Sequence, residues 1–117
     1  MNIDLKETFE IVENGTSYMV PQYHVVDGEG LVEIDNGGVN IDFVRGSKLA
    51  EEEVEKRAGT LHEHLLAVQI HDLKFKNGLV PSRETSIAIT KLEEALQWLR
   101  SRQIDRAKRE VLGTYKK

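Results

Sequence analysis

The sequence contains no cysteine, which excludes a disulfide scaffold, thiol catalysis and any thiolate metal site. It has two prolines, Pro21 and Pro81, and no low-complexity segment or internal repeat, so it is not a linker or a solenoid. No apolar run approaches the length of a membrane span, and the first residues lack a secretory pattern, so a cytoplasmic protein with no membrane partner is expected. What is present is an ordinary globular composition: 39% hydrophobic and 31% charged over 117 residues. Such a chain buries roughly 65% of its unfolded surface, enough for a modest core. The expectation is a single domain, 1–117, with a β part in 1–46 and a helical hairpin with a basic tail in 47–117.

Charge is distributed unevenly. Residues 1–46 hold nine acids against Lys6 and Arg45, a net of −7, while residues 100–117 hold seven bases against Asp105 and Glu110, a net of +5. An acidic body with a basic tail suits a small or local anionic partner better than a long duplex, which demands a broad basic face. Nucleic acid is therefore not the expected partner, although a solvated tail accounts equally well for the charge alone.

The first third of the chain alternates with a period of two. Ile3 and Leu5, then Phe9 and Ile11, lead to Asn14-Gly15, a hairpin signal. Tyr18 to Val26 reads as a second run with an edge or bulge at Pro21, and Asp27 to Gly30 as a turn. Leu31–Ile34 and Val39–Val44 flank Asn36-Gly37-Gly38, a second hairpin signal. About four short antiparallel strands are expected.

After Gly46 the period lengthens. Val54, Ala58, Leu61, Leu65, Val68 and Phe75 predict a helix with one buried stripe, ended by Asn77-Gly78. Pro81-Ser82 opens a second helix with Ser82 as N-cap, and Ala88, Leu92, Ala95 and Leu99 predict its buried stripe. The short connection makes the pair an antiparallel hairpin, and the fold class α+β.

Continued past Leu99, the second stripe becomes Arg102, Arg106 and Arg109. Three arginines cannot be buried without partners, so this end faces water, carboxylates or a bound anion. Guanidinium forks match phosphate oxygens and stack on planar rings, and Trp98 stands one turn before Arg102. A second candidate is the hairpin turn, where Arg83 and Thr85 open a helix whose free N–H groups favour anions. Phe75 and Asn77 there offer a stacking ring and an amide for a base edge. The bland alternatives are an overhanging helix with solvated arginines, and a plain capped turn with Phe75 in the core. Arg83 and Arg102 are nineteen residues apart, roughly 28 Å along a helix, so the two patches meet only across an antiparallel dimer. Gly59 inside the expected first helix suggests close helix contact at an interface, with Arg57 beside it as a weaker ligand candidate.

Other chemistry is thinly represented. His62 and His64 point to different sides of a helix, and His64 and His71 stand two turns apart, so neither pair chelates a metal. No nucleophile elbow, phosphate loop or forced carboxylate pair occurs, and no cofactor is expected.

The run Ser82 to Ala95, then Trp98-Leu99, Arg102, Asp105-Arg106, Arg109, Val111 and Gly113-Thr114, resembles the helical hairpin shared by two groups of phage anti-defence sponges. The length and β-rich first half are similar to the anti-Thoeris sponge, whereas the smaller anti-CBASS sponge has the hairpin without this sheet. The resemblance covers roughly residues 54–114, with one departure at Glu110, where a small residue is expected. It implies a non-catalytic protein that sequesters a glycocyclic isomer of cyclic ADP-ribose. It also implies homodimers, up to a hexamer built as a trimer of dimers, with cyclic di- or trinucleotides at additional sites. On that reading Arg102, Arg106 and Arg109 hold the pyrophosphate or ribose edges, Phe75 stacks on adenine, and Thr85 with Arg83 binds polar edges. Three rivals stay open: an enzyme that cleaves the signal, a nucleic-acid-binding module, and an antagonist that caps a host protein.

Overall fold

The computed structural model describes residues 8–46 and 56–115, with side chains through 109. The expected residues Ile3, Leu5 and Val54, and the side chain of Glu110, lie outside that range. The chain divides into two compact units, one ending at Thr60 and the other starting at Leu61.

The first unit holds five strands: β1 (Glu10–Glu13), β2 (Ser17–Val20), β3 (Tyr23–Val26), β4 (Gly30–Glu33) and β5 (Val39–Asp42). They form two antiparallel sheets, β1-β2-β5 and β3-β4, rather than one sheet of four strands. Asn14-Gly15 turns β1 into β2 as its sequence predicts, with Gly15 at φ 76° and its N–H donated to the Tyr18 hydroxyl at 2.9 Å. The Tyr18–Val26 run breaks at Pro21, which has no N–H for a ladder, so its halves enter different sheets. Asn36 does turn the chain, at φ 58°, but the strands on either side of it do not pair: β5 pairs with β2, in register Tyr18 to Ile41. Phe9, Tyr18 and Phe43 stack edge-to-face, with ring centroids 5.7 and 6.0 Å apart.

Residues 56–60 belong to this unit and are not helical. Arg57 bridges Arg45, and Thr60 bridges Phe43 through Thr60 N–H to Asp42 O at 2.8 Å and Val44 N–H to Thr60 O at 3.0 Å. That commitment of backbone groups removes Ala58 from the expected helix, and Leu61 becomes its N-cap. Gly59 is required here, but not for helix contact. A Cβ at position 59 would stand 2.4 Å from the Phe43 carbonyl carbon and 2.6 Å from the Val44 nitrogen. Only glycine lets the two backbones approach this closely.

The second unit is the expected hairpin of α1 (His62–Leu79) and α2 (Arg83–Tyr115). The α1 helix runs through Gly78 rather than ending there. It stops at Leu79, two residues before Pro81, because the residue preceding proline is disfavoured in the helical region, and Val80 sits at φ −136°. Its buried residue is Ile70, flanked by Leu66, Ala67 and Leu73. On α2 the buried residues are Ile89 and Leu96, with Leu92 packed against them. Both stripes are thus rotated from those expected: Leu61, Val68, Phe75, Ala88 and Ala95 are exposed. An ion pair between Lys74 and Glu93, 2.8 Å, ties the helices together at the surface.

Two substitutions test this packing by thermal unfolding. Gly59→Ala should destabilise the first unit by at least about 1–3 kcal/mol, the scale of overpacking against rigid neighbours; an unchanged transition would contradict the backbone contact. Ile89→Ala should cost the hairpin about 2–5 kcal/mol, as for other buried truncations, whereas Ile87→Ala on the outer face of an isolated hairpin should cost little.

Candidate functional site

The turn of the hairpin is built from a closed set of polar contacts. Ser82 is the N-cap of α2: its Oγ accepts the Thr85 N–H at 3.0 Å and lies 2.7 Å from the Thr85 hydroxyl. Asn77 Oδ1 accepts the Ser82 N–H at 2.9 Å, and Asn77 Nδ2 donates to Ser86 Oγ at 3.1 Å. The Ser86 hydroxyl donates in turn to the Ser82 carbonyl at 3.1 Å. The Asn77 amide therefore holds the turn rather than offering itself to a base edge. Thr85 is half-buried in this network, and Arg83 is exposed beside it.

Phe75 is 57% exposed, which overturns its placement in the core. With Leu79 and Val80, also exposed, it gives the tip of the hairpin an apolar surface. A ring presented in this way is available for stacking.

The arginines lie at the other end. The α2 helix has 33 residues against 18 in α1, so about fifteen residues, roughly 22 Å of helix, extend beyond its antiparallel neighbour. Arg102, Arg106 and Arg109 sit on this overhang. Arg102 and Arg109 are exposed and Arg106 is half-buried. Arg109 is engaged by Asp105 one turn earlier. Trp98, 73% exposed, begins the same stretch. The structure thus separates the two patches within one hairpin, as the helix length requires.

Arg57 belongs to the first unit. Both it and Arg45 reach the Glu13 carboxylate, at 3.4 and 2.8 Å, and Arg45 also donates to the buried Thr16 hydroxyl at 3.3 Å. This cluster ties residues 56–60 to the sheet, a structural role that the sequence pattern did not disclose. Glu13 occupies the turn end of β1, thirty-two residues before Arg45, and no local spacing signals such a contact.

Among the described residues, no group of three His, Asp or Glu side chains is placed to hold a metal ion. None of the described helices is long and apolar enough to cross a membrane.

Residues 40–103 match the family described as Acb2/Tad1, hairpin domain. The matched region includes Arg57, Phe75, Arg83, Thr85 and Arg102, and ends before Arg106 and Arg109. A protein of Bacillus phage SBSphiJ7 named Thoeris anti-defense 1 is 47% identical over 60 residues, which are 50% of this chain and 42% of that protein. The chain matches less than half the length of this curated relative. The helical hairpin and the relative agree with the resemblance read from the Ser82–Thr114 stretch, and the chain belongs to the Acb2/Tad1 hairpin-domain family.

Proposed function

We propose that the protein is a phage anti-defence sponge, a homodimer that binds a glycocyclic isomer of cyclic ADP-ribose in the host cytoplasm and releases it unaltered. The observation that carries this reading is the pair of half-sites on one hairpin: an exposed ring with a polar turn at the tip, and an arginine-bearing overhang at the far end. Each offers part of what a nucleotide needs, a stacking surface or phosphate donors, and neither offers all of it. Two hairpins packed antiparallel bring one copy's arginines over the other's tip, and two-fold symmetry then gives two pockets. Arg102 and Arg106 hold the pyrophosphate, with Arg109 steadied by Asp105. Phe75 stacks on the adenine, and Arg83 and Thr85 meet polar edges. Arg57, which pairs with Glu13 in the first unit, is kept as the weaker ligand candidate.

The exposed faces support the dimer. Leu61, Leu65, Val68, Phe75 and Leu79 recur at helical spacing on the side of α1 opposite Ile70, and all but the half-buried Leu65 are exposed in the single chain. A contiguous apolar row of this kind marks an interaction surface. The sequence period read as a buried stripe is then a buried stripe of the assembly. Val68→Asp should accordingly halve the mass measured by light scattering, and a dimer of undiminished mass would remove this row from the interface.

Sequestration and cleavage give opposite results in one experiment. After incubation with the cyclic signal and heat denaturation, chromatography of the supernatant should return intact ligand in amounts stoichiometric with protein; linear fragments would establish an enzyme instead. Arg102→Ala or Arg106→Ala should weaken binding by about 1.5–3 kcal/mol in calorimetry, the scale of a charge-assisted hydrogen bond, with the thermal transition retained. Normal affinity in both variants would contradict the phosphate role.

A further inference from the structure

One flank of the hairpin carries a groove of about 470 Å³ that belongs to neither the tip nor the arginine overhang. Its walls are two rows at helical spacing. On α1 stand Ala67, His71 and Lys74, and on α2 stand Glu93, Gln97 and Arg100. Because the helices are antiparallel, Lys74 meets Glu93 at one end, 2.8 Å apart, and small Ala67 lies toward Arg100 at the other. The buried side chains of Ile70 and Leu96 form the floor.

The chemistry along this groove is graded. The Lys74–Glu93 pair closes one end with no net charge. His71 and Gln97 put hydrogen-bonding groups on opposite walls above an apolar floor. Among the described residues no carboxylate pairs with Arg100, so the open end keeps a guanidinium free to take an anion. Glu93 is the one acid in the lining, and Lys74 neutralises it, so the groove is complementary to a negatively charged guest. A volume of this size falls within the range of small-molecule sites. We infer that the groove is a second binding site, for a nucleoside monophosphate: the base lies over Ile70 and Leu96 with its edge toward His71 and Gln97, and the phosphate is held by Arg100.

The inference goes beyond the sponge reading and does not depend on it. At about 100° per residue, His71 is turned by roughly a quarter of the helix from Ile70, while Val68 lies nearly opposite Ile70. A second copy covering the Val68 row therefore borders this flank at His71, one turn from Val68 and Phe75, and leaves Ala67, Lys74 and the α2 wall beyond its edge. On α2, Arg100 likewise shares a side with Glu93 and Gln97, whereas Arg102 and Arg109 face away from it.

Titration of the full-length, isotope-labelled protein with adenosine 5′-monophosphate tests the assignment by amide chemical shifts. Saturable shifts should centre on residues 67–74 and 93–100, with adenosine binding at least ten-fold more weakly than the monophosphate. Arg100→Gln, a surface change that leaves the fold intact, should remove that phosphate preference. Ala67→Phe should fill the groove and abolish the shifts, while neither variant alters affinity for the cyclic signal. The absence of saturable shifts, shifts centred on Phe75 or Arg102, or equal affinity for adenosine and the monophosphate would overturn the proposal. So would an Ala67→Phe protein of reduced mass in light scattering, since the groove would then be a contact between copies. Loss of cyclic-signal binding by the wild-type protein would overturn the sponge reading and leave this one standing.

Discussion

Two helices packed side by side can each hide only one face, and that limit governs the hairpin. Its buried apolar core consists of Ile70, Ile89 and Leu96 among the described residues. Burying three aliphatic side chains yields on the order of 5–9 kcal/mol before the entropy of ordering the chain is set against it. A pair of helices held so lightly is completed by an assembly or a ligand more readily than by itself. The apolar residues that remain exposed, Leu61, Val68, Phe75 and Leu79 along α1 and Ile87 and Trp98 on α2, are the surface on which the proposed assembly rests.

The same limit explains the length of α2. Its neighbour α1 is about fifteen residues shorter, so the end of α2 has no helix of the hairpin beside it, and it carries arginines. Long cationic side chains are stable in water along such an overhang, yet remain ready to exchange solvent for phosphate. At the tip, the Asn77–Ser82–Ser86 contacts satisfy the polar groups of the turn internally. Phe75 is thereby left as an apolar ring in a rigid setting. Under the proposed reading such a site is organised before its ligand arrives, which lowers the ordering cost of binding.

The parts of the fold that depend on neighbours in sequence were legible in it. Asn14-Gly15 and Ser82 act locally, through a positive φ and a hydroxyl cap, and both appear where expected. The pairing of β5 with β2 was not legible, because an Asn-Gly-Gly turn dictates a reversal without naming the strand that the chain returns to. The clasp of Arg45 and Arg57 on Glu13 is long-range and leaves no periodic trace. Gly59 marks a close approach, but to the backbone of Phe43 and Val44 and not to another helix, since the residues after it are helical and those around it are not. The helical stripes were off by a rotation: spacing reports apolar faces, and cannot say whether a face is covered by the neighbouring helix or by another molecule. Arg102, Arg106 and Arg109 are candidates because their charge breaks an apolar stripe and Phe75 because it stands just before the turn, whereas the groove beside His71 and Arg100 needs two helices in register to exist.

The central claim is that one pocket is built from the tip of one copy and the overhang of the other. A purified heterodimer of a Phe75→Ala chain with an Arg102→Ala chain tests it most directly by calorimetry with the cyclic signal. A shared pocket places both defects together and leaves the second pocket intact, so the heterodimer should show one strong site while each parental homodimer shows none. Two weak sites and no strong one would mean that each pocket is made by a single chain, and would contradict the account.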